Sequence, residues 1–330
     1  MAPHPDTSEA LADFSHLTPD YVLDQIEKTL ACSCTNLCRP LNSYINRVYE
    51  VQTADGRWVI IKFYRPGRWS ESALRDELTF LRELAGEELP VVAPLVATGD
   101  GLSRDAHGVF FSIFPKMGGR PLVEPSPDRW RELGRLLARV HAVGARQPPE
   151  NRVRLHPEYV TLDHLDAILA VPFPYESLRL DYADAVEDLI DMIVPRFDDL
   201  DMIRIHGDCH AQNLLDRPDE PLTLIDFDDM AVGPAIQDLW MLLPDRLERA
   251  RPEFSWLREG YATFRSFPDH ETKIIESLRA MRYVHYTAWC ARQKADGGFN
   301  RLSPDWGSES YWKKEMDDLR RQMALIRQAP

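Results

Sequence analysis

The sequence predicts an α+β protein of two unequal lobes, a small antiparallel β lobe with one helix and a larger, mainly helical lobe. Three observations lead there. β-rich runs flank an Asp-Gly turn in the first third, the Gly-Pro-flanked stretch "FPKMGGRP" (114–121) marks a change of texture, and amphipathic helical patterns dominate afterwards. The lobes are expected to divide as 1–115 and 116–330. A chain of 330 residues is long enough for two lobes around one cleft, where ligands commonly sit.

Residues 1–18 read as a polar leader. "TPDYVLDQIEKTL" (18–30) reads as a helix capped by Thr18, with Pro19 in its first turn. "SYINRVYEV" (43–51) and "RWVIIKFY" (57–64) flank "ADG" (54–56) as a hairpin. Ser70 opens a helix whose apolar face carries Leu74, Leu78, Leu81 and Ala85, and Gly86 closes it. "VVAPLVATG" and "GVFFSIFP" are expected as further strands. Ser126 and Pro127 start the next helix, striped by Trp130, Leu133, Leu137 and Val140 and ended by Gly144. Helical patterns continue at 181–194, 234–243, 254–265 and 271–293. The short apolar runs "MIRIHGD" and "LTLIDFD" interrupt them as strands that could lie side by side.

Composition excludes several classes. The net charge of −14 opposes a nucleic-acid surface, because neutralising phosphates needs a basic stripe. No apolar run approaches the roughly 18 residues of a membrane span. The acidic start "MAPHPDTSEALADF" is neither a signal nor a transit peptide, so a cytoplasmic monomer is the default expectation. Cys32, Cys34 and Cys38 crowd together, but without a second pair spaced for structural zinc they read as reduced thiols.

Chemistry concentrates in "HGDCHAQN" (206–213) and "LTLIDFDDM" (222–230). Asp208 follows one apolar run, Asn213 comes five residues later, and Asp226 ends the second run. A carboxylate with an amide oxygen is hard-oxygen ligation, suited to magnesium and ill suited to zinc. The pattern is what phosphoryl transfer from ATP demands: one aspartate to take or orient the acceptor hydroxyl proton, and an asparagine and a second aspartate to hold magnesium against phosphates. Lys62, inside "VIIKFY", supplies a cation for those phosphates. Glu77, on the apolar half of its helix, is expected to form a salt bridge with Lys62.

"HGDCHAQN" resembles the H-G-D-x-H-x-x-N motif of the aminoglycoside and choline kinase superfamily, a branch of the protein-kinase-like fold. "LIDFDDMAVGPAIQDL" resembles its following block, with Asp226, Gly233 and Asp238 in register. "LNSYINRVYEV", "IKFYRPGRWS", "ELPVVAPL", "FPKMGGR", "DFDDMAVGPAIQDLWMLL" and "LRAMRYVHYTAW" extend the likeness over roughly residues 40–290. Together these look like the bacterial stress response kinase A family, cytoplasmic serine/threonine protein kinases. The resemblance implies a bilobal protein-kinase-like fold with a nucleotide-binding first lobe and a catalytic second lobe. It implies Asp208 as catalytic base, Asn213 and Asp226 as magnesium ligands, and Lys62 as the phosphate lysine with Glu77 its helix partner. Ser43 falls in the loop over the ATP phosphates, and Phe114 to Met117 resembles the hinge that meets adenine. Asp238 is expected to hold the catalytic loop backbone, and His206 and His210 to be structural.

Two departures stand out. The loop "RPLNSYINRVY" has no glycine, whereas protein kinases cradle phosphate with a Gly-rich loop, so Asn42 and Ser43 side chains are candidate donors. "DFDD" replaces D-F-G, so Asp228 either helps bind a second magnesium or faces solvent at the turn. The acceptor stays open between a protein, implied by the resemblance, and a small amino alcohol, sugar or antibiotic. A catalytically inactive kinase-like binding module is the reading of another class.

Overall fold

In the computed structural model, which describes residues 14–96, 99–147, 149–294, 299 and 303–328, the first helix begins at its capping residue. The Thr18 side chain accepts from the Tyr21 N–H at the start of α1 (Pro19–Leu30), a cap that contributes about 1 kcal/mol. Residues 14–18 are not a loose leader: Leu17 is buried with the sheet residues under α1, and His16 bonds Asp105 at 3.0 Å. Residues 1–13 of the expected leader lie outside the described residues.

Five antiparallel strands make the small-lobe sheet, in the order β1-β2-β3-β5-β4. They are β1 (Cys34–Leu41), β2 (Arg47–Thr53), β3 (Trp58–Phe63), β4 (Ser103–Arg104) and β5 (Phe110–Pro115). The β2–β3 hairpin turns at the expected Asp-Gly pair, but β2 starts at Arg47, which leaves Ser43 in the turn after β1. β1 had no apolar alternation to announce it, being an edge strand with mostly outward side chains. The expected strand at "VVAPLVATG" does not form. Val91 makes one bridge to Leu224 and Leu95 donates its N–H to the Ile113 carbonyl, while residues 97–98 lie outside the described residues. Pro94, which lacks a ladder donor, explains the interruption.

Strand alternation then places the chemistry. Val59, Ile61 and Phe63 of β3 pack in the core shared with α1. Lys62, between two of them in sequence, faces the opposite side, towards the cleft. α2 (Glu71–Gly86) starts at Ser70, whose hydroxyl accepts from the Ala73 N–H. Its Leu78, Phe80, Leu81 and Leu84 join the core of the larger lobe, with Phe80 edge-on to Phe227 at 5.8 Å.

The larger lobe comprises β6 (Arg120–Pro121), α3 (Pro127–Gly144), α4 (Leu162–Leu169), α5 (Glu176–Ile193), β7 (Met202–Ile205), β8 (Leu214–Asp216), β9 (Thr223–Leu224) and β10 (Ala231–Pro234). It continues with α6 (Ile236–Trp240), α7 (Arg251–Tyr261), α8 (Ile275–Gln293) and α9 (Glu309–Gln328). The two apolar runs expected side by side are not paired: β7 pairs with β10, and β9 pairs with β8. Closing a short local hairpin through "DRPDEP" needs less loop entropy than a longer-range pairing. Among the described residues no helix is long and apolar enough to cross a membrane.

α3 and α7 meet backbone to backbone. A Cβ on Gly134 would sit 2.1 Å from the Leu257 carbonyl oxygen, and one on Gly260 would sit 1.9 Å from that of Arg131. This contact sets Tyr261 against His141 of α3, 3.0 Å apart. Gly260→Ala forces the helices apart and is expected to destabilise the protein by ~1–3 kcal/mol, the scale of core overpacking, read as a lower urea midpoint with an unchanged slope.

Candidate active site

β7 ends at Ile205 and the chain turns at Gly207, which has a φ of +84° and where a Cβ would sit 2.1 Å from the Asp229 carbonyl oxygen. Asp238, buried on α6, holds this turn. Its Oδ2 accepts from the His206 N–H at 2.7 Å and its Oδ1 from the Gly207 N–H at 2.9 Å. His141 Nε2 lies 3.0 Å from the same Oδ2, so α3 and α7 support the turn through Asp238. The His206 ring lies 2.9 Å from the Ile225 carbonyl through Nε2, and its Nδ1 accepts from the Asp208 N–H. That pattern places the ring hydrogen on Nε2 and ties the segment carrying Asp208 to the one carrying Asp226.

Asp208 has both carboxylate oxygens engaged: Arg282 of α8 donates to Oδ1 at 2.7 Å, and His210 Nε2 lies 3.3 Å from Oδ2. Burial opposes its charge, but the contacts with His210 and Arg282 win and hold Asp208 well below the usual carboxylate range. Asn213 donates its Nδ2 to the Asp208 carbonyl at 3.0 Å, while its own carbonyl accepts from the Ile225 N–H at 3.0 Å. Asp208, Asn213 and Asp226 are thereby brought to one place, although their strands do not pair.

Asp226 and Asp228, two residues apart, differ in kind. Asp226 has a left-handed backbone (φ 62°) and a carboxylate 54% exposed, 3.2 Å from Lys62 Nζ. Asp228 is 6% exposed at its side chain and sits 3.0 Å from Lys62 Nζ, 2.6 Å from Arg68 Nη1 and 3.3 Å from Asn46 Nδ2. Burial again opposes ionisation, and Lys62 and Arg68 overcome it, keeping Asp228 well below the usual range. Asp228 therefore does not face solvent: its carboxylate is committed to protein cations. Arg68 reaches on to Asp229 at 2.6 Å.

The expected Lys62–Glu77 salt bridge is absent. Burial disfavours the Lys62 ammonium, but Asp228, Asp226 and, more weakly, Glu77 hold it well above the usual lysine value. Glu77 instead has Arg152 at 3.7 Å, and burial raises its carboxyl, with Lys62 opposing. Two carboxylates on the turn after β9 outcompete one on α2 for the same ammonium.

The donors present fit magnesium. Asn213 spends its Nδ2 on Asp208 and keeps its amide oxygen as a hard acceptor, and Asp226 offers an accessible carboxylate. Among the described residues no three His, Cys, Asp or Glu side chains gather as a complete cage.

Residues 37–271 match the Phosphotransferase enzyme family (APH). The stress response kinase A of Escherichia coli (strain K12) is 34% identical over 318 residues, 96% of each chain. The serine/threonine protein kinase RdoA of Salmonella typhimurium (strain LT2) is 36% identical over 327 residues, again 96% of each. The chain belongs to this phosphotransferase family, in its stress response kinase A branch. It is an ATP-dependent kinase with a hydroxyl acceptor. The solved amicoumacin kinase hAmiN, in complex with AMP-PNP, Ca2+ and Ami, is 18% identical and superposes with a TM-score of 0.72. It covers 92% of this chain and 95% of its own, so the bilobal fold is shared.

In the kinase, Ser43 lies in the turn between β1 and β2. Phe114 is the penultimate residue of β5, which ends at Pro115, and Lys116 and Met117 begin the crossing into β6, with the Lys116 N–H donated to the Trp58 carbonyl at 3.0 Å. Cys34, pushed up to about 12 by burial and by Cys32 beside it, is a thiol and not a thiolate. The sequence reading missed Asn46, Arg68, Arg152 and Arg282. Arg68 and Arg282 fall within the stretches that carried the family likeness, but nothing local marks a guanidinium as a partner of a remote carboxylate.

Asp238→Ala strips the acceptor from two backbone N–H groups and His141, and a loss of about 2–4 kcal/mol is expected in chemical unfolding. One turn beyond Arg282, His285 lies 3.2 Å from His164, and burial, reinforced by Arg282, pushes His285 down to about 4. The unfolded chain binds that proton at about 6.5, so this contribution is complete above that pH and is lost as pH falls towards 4. His285→Gln is expected to flatten that part of the stability profile.

Proposed function

We propose that this kinase transfers the γ-phosphate of ATP, with magnesium, to serine or threonine hydroxyls of proteins, acting in the cytoplasm as part of a stress response. The observation that carries the reading is the tie between Asp208 and Asn213 at 3.0 Å, with Asp226 following Ile225, whose N–H bonds the Asn213 carbonyl, and Lys62 3.2 Å from the Asp226 carboxylate. A hydroxyl orienter, an amide oxygen, an accessible carboxylate and a buried ammonium thus share one cleft.

Asp208 positions the acceptor hydroxyl and takes its proton as the oxygen–phosphorus bond forms and the bond to the ADP oxygen breaks. A carboxylate held so low is a weak base. It acts mainly by orientation, which suits a loose transfer in which the proton leaves late. Asn213 and Asp226 would hold magnesium, which supplies charge neutralisation on the phosphates. Lys62 would exchange part of its contact with Asp226 for a phosphate oxygen. Ser43 would add a donor over the phosphates, and Phe114 to Met117 would meet the adenine. Asp228, committed to Lys62 and Arg68, would not hold a second ion.

The protein acceptor is supported by the names of the Escherichia coli and Salmonella relatives and by likeness over almost the whole chain. One observation favours a second reading. A cavity of about 640 Å³ is lined by Arg246, Arg282, Tyr283, Tyr286 and Glu315, and so includes the residue that holds Asp208. That volume is in the range of small-molecule sites.

Transfer of labelled γ-phosphate, with wild type against Asp208→Asn, decides between them. Asp208→Asn is expected to slow transfer by ~10²–10⁴-fold, and a chelator to abolish it. Label on protein serine or threonine supports the first reading. Label on a small amino alcohol or aminoglycoside supports the second. Transfer indifferent to Asp208→Asn would remove the assigned base.

A further inference from the structure

Arg152 belongs to no motif, yet its side chain is fully buried beside the site. The segment carrying it is pinned at both ends. The Asn151 N–H and Nδ2 both donate to Asp76 of α2, at 2.9 and 3.2 Å, and residues 153–155 run beside β10 through bonds to Val232. Between these anchors the guanidinium grips the turn that follows Asp226. Its Nε donates to the Met230 carbonyl at 2.8 Å, and Nη2 donates to the Asp228 carbonyl at 2.6 Å and the Phe227 carbonyl at 3.3 Å. It lies 4.1 Å from the Trp69 ring centroid, and Glu77 at 3.7 Å is its counter-charge. A planar fork can serve three carbonyls, a ring face and a carboxylate together, and an ammonium cannot.

We propose that Arg152 is a positioning residue through which α2 acts on the metal-side turn: Glu77 holds Arg152, and Arg152 holds residues 226–230 so that Asp226 presents its carboxylate to the cation. This rests on the reading of Asp226 as a metal ligand. Two facts argue for it over a direct Glu77–Lys62 route. The ammonium of Lys62 bonds Asp226 and Asp228, and every hydrogen bond that Arg152 makes ends on the turn. Asp226 is also the residue with a left-handed backbone, a conformation that persists only where surrounding contacts over-determine it.

A double-mutant cycle of Glu77→Gln and Arg152→Lys tests the route, with a non-hydrolysable ATP analogue titrated by calorimetry with and without magnesium. Backbone amide exchange over residues 226–232 is followed in the nucleotide-free protein. Each single variant is expected to speed that exchange. Each should also cut the strengthening of nucleotide binding by magnesium at least tenfold, with metal-free affinity changed less than twofold. The double variant should be no worse than the more severe single. Additive effects, or a loss of metal-free affinity in Glu77→Gln, would show that Glu77 serves Lys62 independently and overturn the proposal. Unchanged exchange and unchanged magnesium dependence in a folded Arg152→Lys would overturn it equally. Should Arg152→Lys not fold, Trp69→Leu removes the ring beneath the guanidinium while sparing its polar contacts, and the same two readouts decide. Asp226→Asn is the control: if magnesium still strengthens binding there, the metal reading itself fails, whatever Arg152 does.

Discussion

The structure depends on keeping a dense set of charges paired in the cleft between its lobes. Lys62 and Arg68 reach from the small lobe to Asp226, Asp228 and Asp229 of the larger one, while Arg152 and Glu77 close the set beneath. Buried ions are tolerated only when each has a partner, because removing one leaves its neighbour desolvated and uncompensated. Asp228 is the clearest case, with two cations and an amide around one buried carboxylate. The short distances across the cleft are thus a condition for any charge to reside there. The lobes are joined by electrostatics as well as by the Phe80–Phe227 contact.

A second layer, around Asp238, is built differently. It holds backbone and not side-chain charges: two N–H groups of the turn at His206 and Gly207 end on one carboxylate, which His141 supports from α3. The close passage of α3 over α7 at Gly134 and Gly260 fixes where that histidine stands. Helix packing and catalytic-turn geometry are therefore one problem, solved by two residues without side chains.

Much of this was legible in the sequence where the signal is local. Thr18, Ser70 and Ser126 mark helix starts because capping needs only the next three residues. The Asp-Gly turn fixes the β2–β3 register, and alternation along β3 exposes Lys62 to the cleft. Asp208, Asn213 and Asp226 stood out by their spacing, and the structure ties the segments that carry them together. β1 was not, since an edge strand need not alternate, and the supposed strand at "VVAPLVATG" failed because apolar content alone does not supply ladder donors. α9 carries a readable stripe of Trp312, Met316, Leu319, Met323 and Ile326 that the reading passed over. The pairing of Glu77 with Arg152 in place of Lys62 was out of reach. It is settled by competition between Glu77 in one lobe and Asp226 and Asp228 in the other for the same ammonium.

The double engagement of Asp208 by Arg282 and His210 has a consequence for thrift. A kinase that holds ATP with no acceptor present risks spending it on water. Here a water molecule entering the cleft meets a proposed base whose two oxygens already accept from cationic or imidazole donors, and whose affinity for a proton is low. Water brings too few contacts of its own to displace them. On the proposed reading, an acceptor that brings its own partner for Arg282 would free one oxygen as it arrives. If Asp208 is the base proposed above, the ion pair that keeps it ionised would also disfavour idle hydrolysis.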